Sequence, residues 1–202
     1  MGSQVRILPG TPNILIHKIM LQFDHSIPVT VRHDTAQSVL RVFVNQEQKF
    51  ERVFEAGTHS HNIDFTHSYV DGSKNSLRIE YDGKQESESR LLEIKSITIN
   101  KVGINVYNAS YSPRFDQGWW ATLDNDAKQN IKDKVHGNNG NHFGWYGDIE
   151  WHYFTGKDKK SKMKVRTASD YDNTDDILGM KMQWVYADVQ THNPWELNDK
   201  LL

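Results

Sequence analysis

Residues 38–54 read SVLRVFVNQEQKFERVF. Leu40, Val42 and Val44 alternate with Val39, Arg41 and Phe43, the period-2 pattern of a strand with two unlike faces. The polar stretch Asn45-Gln46-Glu47-Gln48 separates this run from a second one carrying Phe50, Val53 and Phe54. Two such runs about a short polar turn predict a β-hairpin. Outward from it the pattern repeats. Residues 75–84, NSLRIEYDGK, set Leu77, Ile79 and Tyr81 against Ser76, Arg78 and Glu80. Residues 91–100 give Leu92 and Ile94, then Ile97 and Ile99, and the Lys95-Ser96 step shifts the alternation. A shift of that kind predicts a bulge or a change of sheet. Upstream, residues 18–25 alternate Ile19, Leu21 and Phe23, residues 27–32 form a second short run, and residues 60–65 pair Ile63 with Phe65. Roughly seven short strands, separated by Asn, Asp and Gly, predict an all-β, antiparallel, jelly-roll-like sandwich.

Past residue 107 the texture changes, so residues 20–107 are expected to form the sandwich core. Residues 108–202 are expected to form an irregular, aromatic-rich extension packed on it. One short helix is predicted over residues 121–135, with Thr122 as its cap, Asp124 and Asp126 at its positive end, and Lys132 and Lys134 at its negative end. The Gly- and Asn-rich residues 137–144 read as a surface loop. Residues 145–154 read as a strand. Residues 179–189 read as a final strand with Met180, Met182, Trp184 and Tyr186 on one face.

Composition narrows the function classes. The 202 residues include no cysteine, which excludes a thiol nucleophile, a cysteine-based zinc site and a disulfide scaffold. The formal charge of −2 lacks the basic excess of a nucleic-acid binder. No apolar run approaches the ~20 residues of a membrane span. Residues 1–19 are expected to lie outside the fold as an N-terminal arm. Gln4-Val5-Arg6-Ile7 matches the translation of the T-arm of tRNA genes, which leaves two readings, a native start near Met20 or an ordinary flexible arm. No secretory signal is recognised there.

The hairpin of residues 38–54, the N-x-L-x-I-x-Y-x-G-K run of residues 75–84 and the I-x-I-x-x-I-x-I-N strand pattern within residues 91–104 occur in a fixed order. In this they resemble jelly-roll modules related to calcium-dependent xylan-binding domains. They also resemble small, mostly uncharacterised proteins of tailed cyanophages and other marine phages. Tyr111-Ser112-Pro113 followed by Trp119-Trp120 extends the second resemblance. The resemblance implies a non-catalytic module that contacts glycan or other virion proteins, located in a virion or in host cytoplasm during infection. It implies calcium as a cofactor, although the calcium ligands of the xylan-binding modules have no clear counterparts here.

Four constellations could carry chemistry. Sugar rings stack their C–H faces on flat aromatic rings, so Trp119, Trp120, Trp145 and Tyr146, beside Gly- and Asn-rich loops, are the candidate carbohydrate-binding residues. The competing reading is core packing, the commoner fate of Trp. Asp82 with Glu86 and Glu88, and Asp170, Asp172 and Asp175, are candidate oxygen ligands for a cation. The second set lacks the Gly and Glu that an EF-hand loop requires, so solvated acidic loops are the alternative. His59 and His61 would share a strand face, with His67 following and Asp64 on the opposite face. The basic residues Lys157 to Arg166 read as a charged strand face or as partners for the acids that follow. No nucleophile-elbow, phosphate-loop or dinucleotide motif occurs. The leading expectation is therefore a glycan- or virion-contacting module, capable of homo-oligomer formation. The alternatives are an intracellular adaptor without a ligand and a glycan hydrolase.

Overall fold

The computed structural model describes residues 18–34, 37–83, 90–137, 141–157 and 183–187. Two sheets face each other. In the first, the 14-residue β1 (Met20–His33) pairs along its whole length with β4 (Gly57–Val70). On its other side it carries β6 (Arg90–Ile94) and β7 (Ile97–Ile99), placed end to end. β8 (Val102–Ile104) pairs with β7, and β10 (His142–Phe143) pairs with β6. The second sheet runs β3 (Glu47–Phe54), β2 (Ser38–Val44), β5 (Ser73–Gly83), β11 (Gly147–Gly156). Beyond β11, β9 (Ser110–Pro113) pairs with its first half and β12 (Gln183–Tyr186) with its second. Among the described residues all pairings are antiparallel except β11 with β12. The all-β sandwich expected from the alternation is the architecture found.

The alternation also sets the core. Leu40, Val42 and Val44 of β2, Leu77, Ile79 and Tyr81 of β5, and Ile149, Trp151 and Tyr153 of β11 are buried. Across the gap they meet Phe23, Ile27, Val29 and Val31 of β1 and Leu92, Ile94, Ile97 and Ile99 of β6 and β7. Several aromatic hydroxyls and ring nitrogens inside this core are paired, as burial favours, while His25 Nδ1 and Tyr81 Oη have no hydrogen-bond partner among the described residues. Tyr69 Oη lies 2.6 Å from both His25 Nε2 and Tyr153 Oη, which links the two sheets. Trp151 Nε1 donates to the Val106 carbonyl at 3.2 Å.

Turn chemistry explains several connections. Asn45 and Gln46 both take positive φ, 49° and 71°, as a two-residue hairpin turn requires. The turn expected over four residues is thus two residues long, and Glu47 already belongs to β3. Asp71-Gly72, with Gly72 at φ 75°, carries the chain from β4 in one sheet to β5 in the other. Gly147 is required by β9: an added Cβ would collide with the Ser112 carbonyl.

Four features differ from the sequence expectation. The two short runs around residues 18–32 are one strand, β1. Pro28 sits inside it, and its carbonyl accepts from Lys95 N at 3.0 Å. The missing Pro28 N–H therefore faces the Lys95-Ser96 step, where the register with β1 advances by one residue. A bulge is where an interior strand tolerates proline, and β6 and β7 stay in one sheet. Second, the single helix is two: α1 (Gln117–Thr122) and α2 (Asn125–Gly137). Asp116 and Asp124 cap them, accepting from Trp119 N and Ala127 N at 2.7 Å each. Thr122 caps nothing; its hydroxyl donates back to the Trp119 carbonyl. Third, β4 is more than twice the length of the run read over residues 60–65, because its histidines and hydroxyls conceal the alternation. Fourth, the segment after residue 107 does more than cover the sandwich. β9, β11 and β12 are strands of the second sheet and β10 of the first. The basic run beyond Lys157, together with Met180 and Met182, lies outside the described residues.

Candidate functional site

An aromatic cluster is built where β9 ends and α1 begins. Arg114 N donates to the Tyr146 carbonyl at 2.7 Å, fixing the chain as it leaves β9. Asp116 then starts α1, and a single helical turn places Trp119 and Trp120 beside Phe115. Phe115 stacks on Trp120 with ring centroids 4.3 Å apart and planes 7° from parallel. Trp119 stacks on Trp145 at 5.4 Å, and Phe115 meets Trp145 edge-on at 5.3 Å. Tyr111 Oη donates to the Trp145 carbonyl at 2.7 Å and holds that loop from below. The Arg90 guanidinium lies 5.1 Å from the Trp145 ring. No residue of α1 is buried, and Trp119 keeps 38% of its surface exposed. The structure thus gathers three of the four residues singled out by the sequence.

Tyr146 is the correction. It is fully buried, and its hydroxyl meets His33 Nε2 inside the sandwich. Trp145 and Tyr146 precede β11, and the bend at Trp145 sends its ring to the cluster while Tyr146 packs inward. It packs edge-on against Tyr81 at 4.8 Å.

Beside the cluster, the outer face of the second sheet carries a charged array. Arg114 lies 3.0 Å from Asp148 and 3.4 Å from Asp82. Arg78 lies 3.0 Å from Asp148 and 3.1 Å from Glu80. Arg41 reaches Glu80 at 2.6 Å and Glu51 at 2.8 Å. Hydrogen bonds to both carboxylates hold the Arg41 guanidinium above its usual pKa. These fixed donors and acceptors could read hydroxyl groups at the margin of the aromatic surface.

Comparison with family models and with curated proteins returned no match. Among solved structures, one titled "vCBM60 in complex with galactobiose" aligns with 62% of this chain and 95% of its own. Its sequence identity is 13% and its TM-score 0.36. A likeness that distant carries no argument, and the functional reading rests on the residues of the site itself.

The remaining candidates separate on geometry. Asp82, a candidate calcium ligand, lies between Arg41 and Arg114 and accepts from Gly83 N at 2.9 Å. Two guanidinium neighbours make a poor seat for a cation. Glu86, Glu88, Asp170, Asp172 and Asp175 lie outside the described residues. Among the described residues, no group of three or more His, Asp or Glu gathers as metal ligands would. His59, His61 and His67 do share one face of β4, the inner one, with Asp64 on the other. Each is engaged separately. His59 Nε2 lies 3.0 Å from the Glu55 carbonyl, His61 Nδ1 lies 3.0 Å from Arg52, and His67 lies 3.7 Å from Glu47.

Three site residues escaped the sequence reading. Phe115 is a lone aromatic outside any strand pattern. Arg90 and Arg114 are ordinary surface arginines until the fold brings them to the cluster. The local signals were the Trp119-Trp120 doublet and Trp145. A second aromatic row was half legible: Trp184 and Tyr186 share a face as expected, and Phe154 of β11 stacks on Trp184 at 4.8 Å.

Proposed function

We propose that this protein is a non-catalytic glycan-binding module that uses the Trp119, Trp120 and Trp145 surface as its sugar platform. One observation carries the reading. A one-turn helix with no buried residue holds two tryptophans against a third, and one of them stays well exposed. A core would have buried these rings, since burying an aromatic side chain is the larger gain for stability. Trp119 is exposed and Trp120 and Trp145 half-buried beside it, so the cluster offers flat apolar surface for the C–H side of a sugar ring, with Arg114, Asp82 and Asp148 close by as polar partners. Sandwich edges and loops commonly present such sites on a rigid scaffold. A particle-bound location and calcium dependence are finer parts of the proposal, and the sequence resemblance to phage and xylan-binding modules is their support.

The test is a glycan-array screen of the full chain, with calcium and with chelator. Every hit is repeated with Trp119→Ala and Trp145→Ala, each checked for an unchanged melting transition. A reproducible hit lost in a folded variant supports the platform. A blank array, or a hit indifferent to both substitutions, overturns it.

A further inference from the structure

Two strands border the same side of the sandwich, and they treat that position differently. β3, in the second sheet, carries Glu47, Lys49, Glu51 and Arg52 within eight residues, and its register with β2 shifts between Val42 and Phe43. Charges and irregularity are the usual guards of an exposed edge. β4, in the first sheet, has neither. Its fourteen residues pair with β1 in one unbroken register and include a single Asp and no Glu, Lys or Arg. Among the described residues, β1 is its only strand partner. Its other side, unpaired among the described residues, is therefore a row of backbone donors and acceptors about 46 Å long.

The inner face of β4 is covered only in part: Ile63 and Tyr69 are buried and His67 nearly so. Every inward residue of β1 from Phe23 to His33 is buried, whereas His59, His61 and Phe65, one strand further out, are only half-buried. A neighbouring strand on that other side would cover them.

We infer that β4 pairs antiparallel with β4 of a second copy of this chain, with the twofold axis passing through Ile63. A second copy fits because the strand is self-complementary. For both copies to keep their inner faces inward, the twofold must pass through a residue, and only Ile63 and Asp64 lie near enough to the centre to use almost the whole strand. The Asp64 register sets two carboxylates directly opposite each other, which is destabilising. The Ile63 register sets Asp64 opposite Asn62 of the second copy, twice, so each carboxylate meets an amide donor. It also sets Ser60 opposite Thr66 and Thr58 opposite Ser68, pairs that can exchange hydroxyl hydrogen bonds. On the inner face it sets His61 opposite Phe65. The two first sheets then form one continuous sheet. A shallow depression on the outer face, of about 490 Å³ and lined by Asp24, Ser26, Asp64, Thr66, Thr98 and Lys101, is repeated on both sides of the axis.

The chain has no cysteine, so disulfide trapping gives a clean test. Opposite residues in an antiparallel pair lie about 4.5–5.5 Å apart at Cα, within disulfide reach. Full-length N62C and D64C proteins are mixed under mild oxidation, with E51C on β3 as the control. The expected result is a cross-linked N62C–D64C heterodimer formed in preference to either homodimer, with E51C left uncross-linked. Sedimentation equilibrium of the unmodified chain supplies the second measurement. N62D, which sets like charges opposite at two places, should raise the dimer dissociation constant roughly fivefold. N62K should lower it by a similar factor. Both positions are exposed, so the melting transition confirms that each variant folds. A monomer throughout the micromolar range overturns the inference. So does a dimer whose cross-links form through E51C, or one indifferent to N62D and N62K.

Discussion

Trp145 and Tyr146 are consecutive residues that belong to two regions built on opposite terms. Tyr146 lies with Trp151 and Tyr153 in the interior, where aromatic rings fill space between sheets and their polar atoms are paired within the protein. Trp145 lies with Phe115, Trp119 and Trp120 in a surface cluster on a one-turn helix with no buried residue. The same residue types serve stability in one place and stay available for contact in the other. What separates them is whether a second sheet stands opposite.

That contrast predicts a graded series. Trp151→Ala removes the largest fully buried side chain and should cost about 3–5 kcal/mol in chemical denaturation. A loss below ~1 kcal/mol would mean that the second sheet tolerates a void at its centre.

Acid is the next largest effect. Burial, and next to it the charge of His67, hold the His25 pKa down from 6.5 to about 4. The unfolded chain therefore takes up a proton before the native one does. Stability is full above pH 6.5, is lost as the pH falls towards 4, and the loss levels off below that. Through His25 alone it should reach roughly 3 kcal/mol. Burial also lowers the pKa of His33, His61 and His67, so their contributions have the same sign. Urea midpoints measured across this range, for the wild type and for H25Q, separate the His25 share: the variant should show a visibly shallower slope.

Tyr69→Phe strips the hydroxyl that joins His25 to Tyr153 and should cost about 1–3 kcal/mol, since both partners stay buried. In the surface region the effects shrink. Asp116→Ala removes the cap of α1 and should cost about 1 kcal/mol, with tryptophan emission shifting as Trp119 and Trp120 lose their setting. Trp119→Ala should change stability by less than about 1 kcal/mol. A larger loss there would place the cluster among the core elements and remove the main support for a sugar platform.

Legibility in the sequence followed the same divide. Where one side of a strand is apolar and the other polar, as in Leu40-Arg41-Val42 or Leu77-Arg78-Ile79, the alternation names the buried face directly. β4 is less legible because its inner face mixes Ile63 and Tyr69 with three histidines, so its length was underread. The Trp119-Trp120 doublet marked the cluster, but nothing local marks Phe115, Arg90 or Arg114 as its neighbours. Tyr146 reads like Trp145 in the sequence, and only the bend that precedes β11 sends one ring outward and the other into the core.

By itself, then, the sequence determined the all-β class, the hairpin around Asn45, the core faces of β2, β5, β6 and β7, and a tryptophan doublet open to either a surface or a core reading. These are properties of near neighbours along the chain, and period-2 alternation and turn chemistry act over that range. The tertiary structure alone decided that β11 enters the second sheet and that β6 and β7 share β1 across a proline-matched bulge. It alone decided that Arg114 joins the β5 carboxylates and that β4, among the described residues, pairs with β1 alone. Those outcomes depend on which strands meet across dozens of residues, and local residue order does not carry that information.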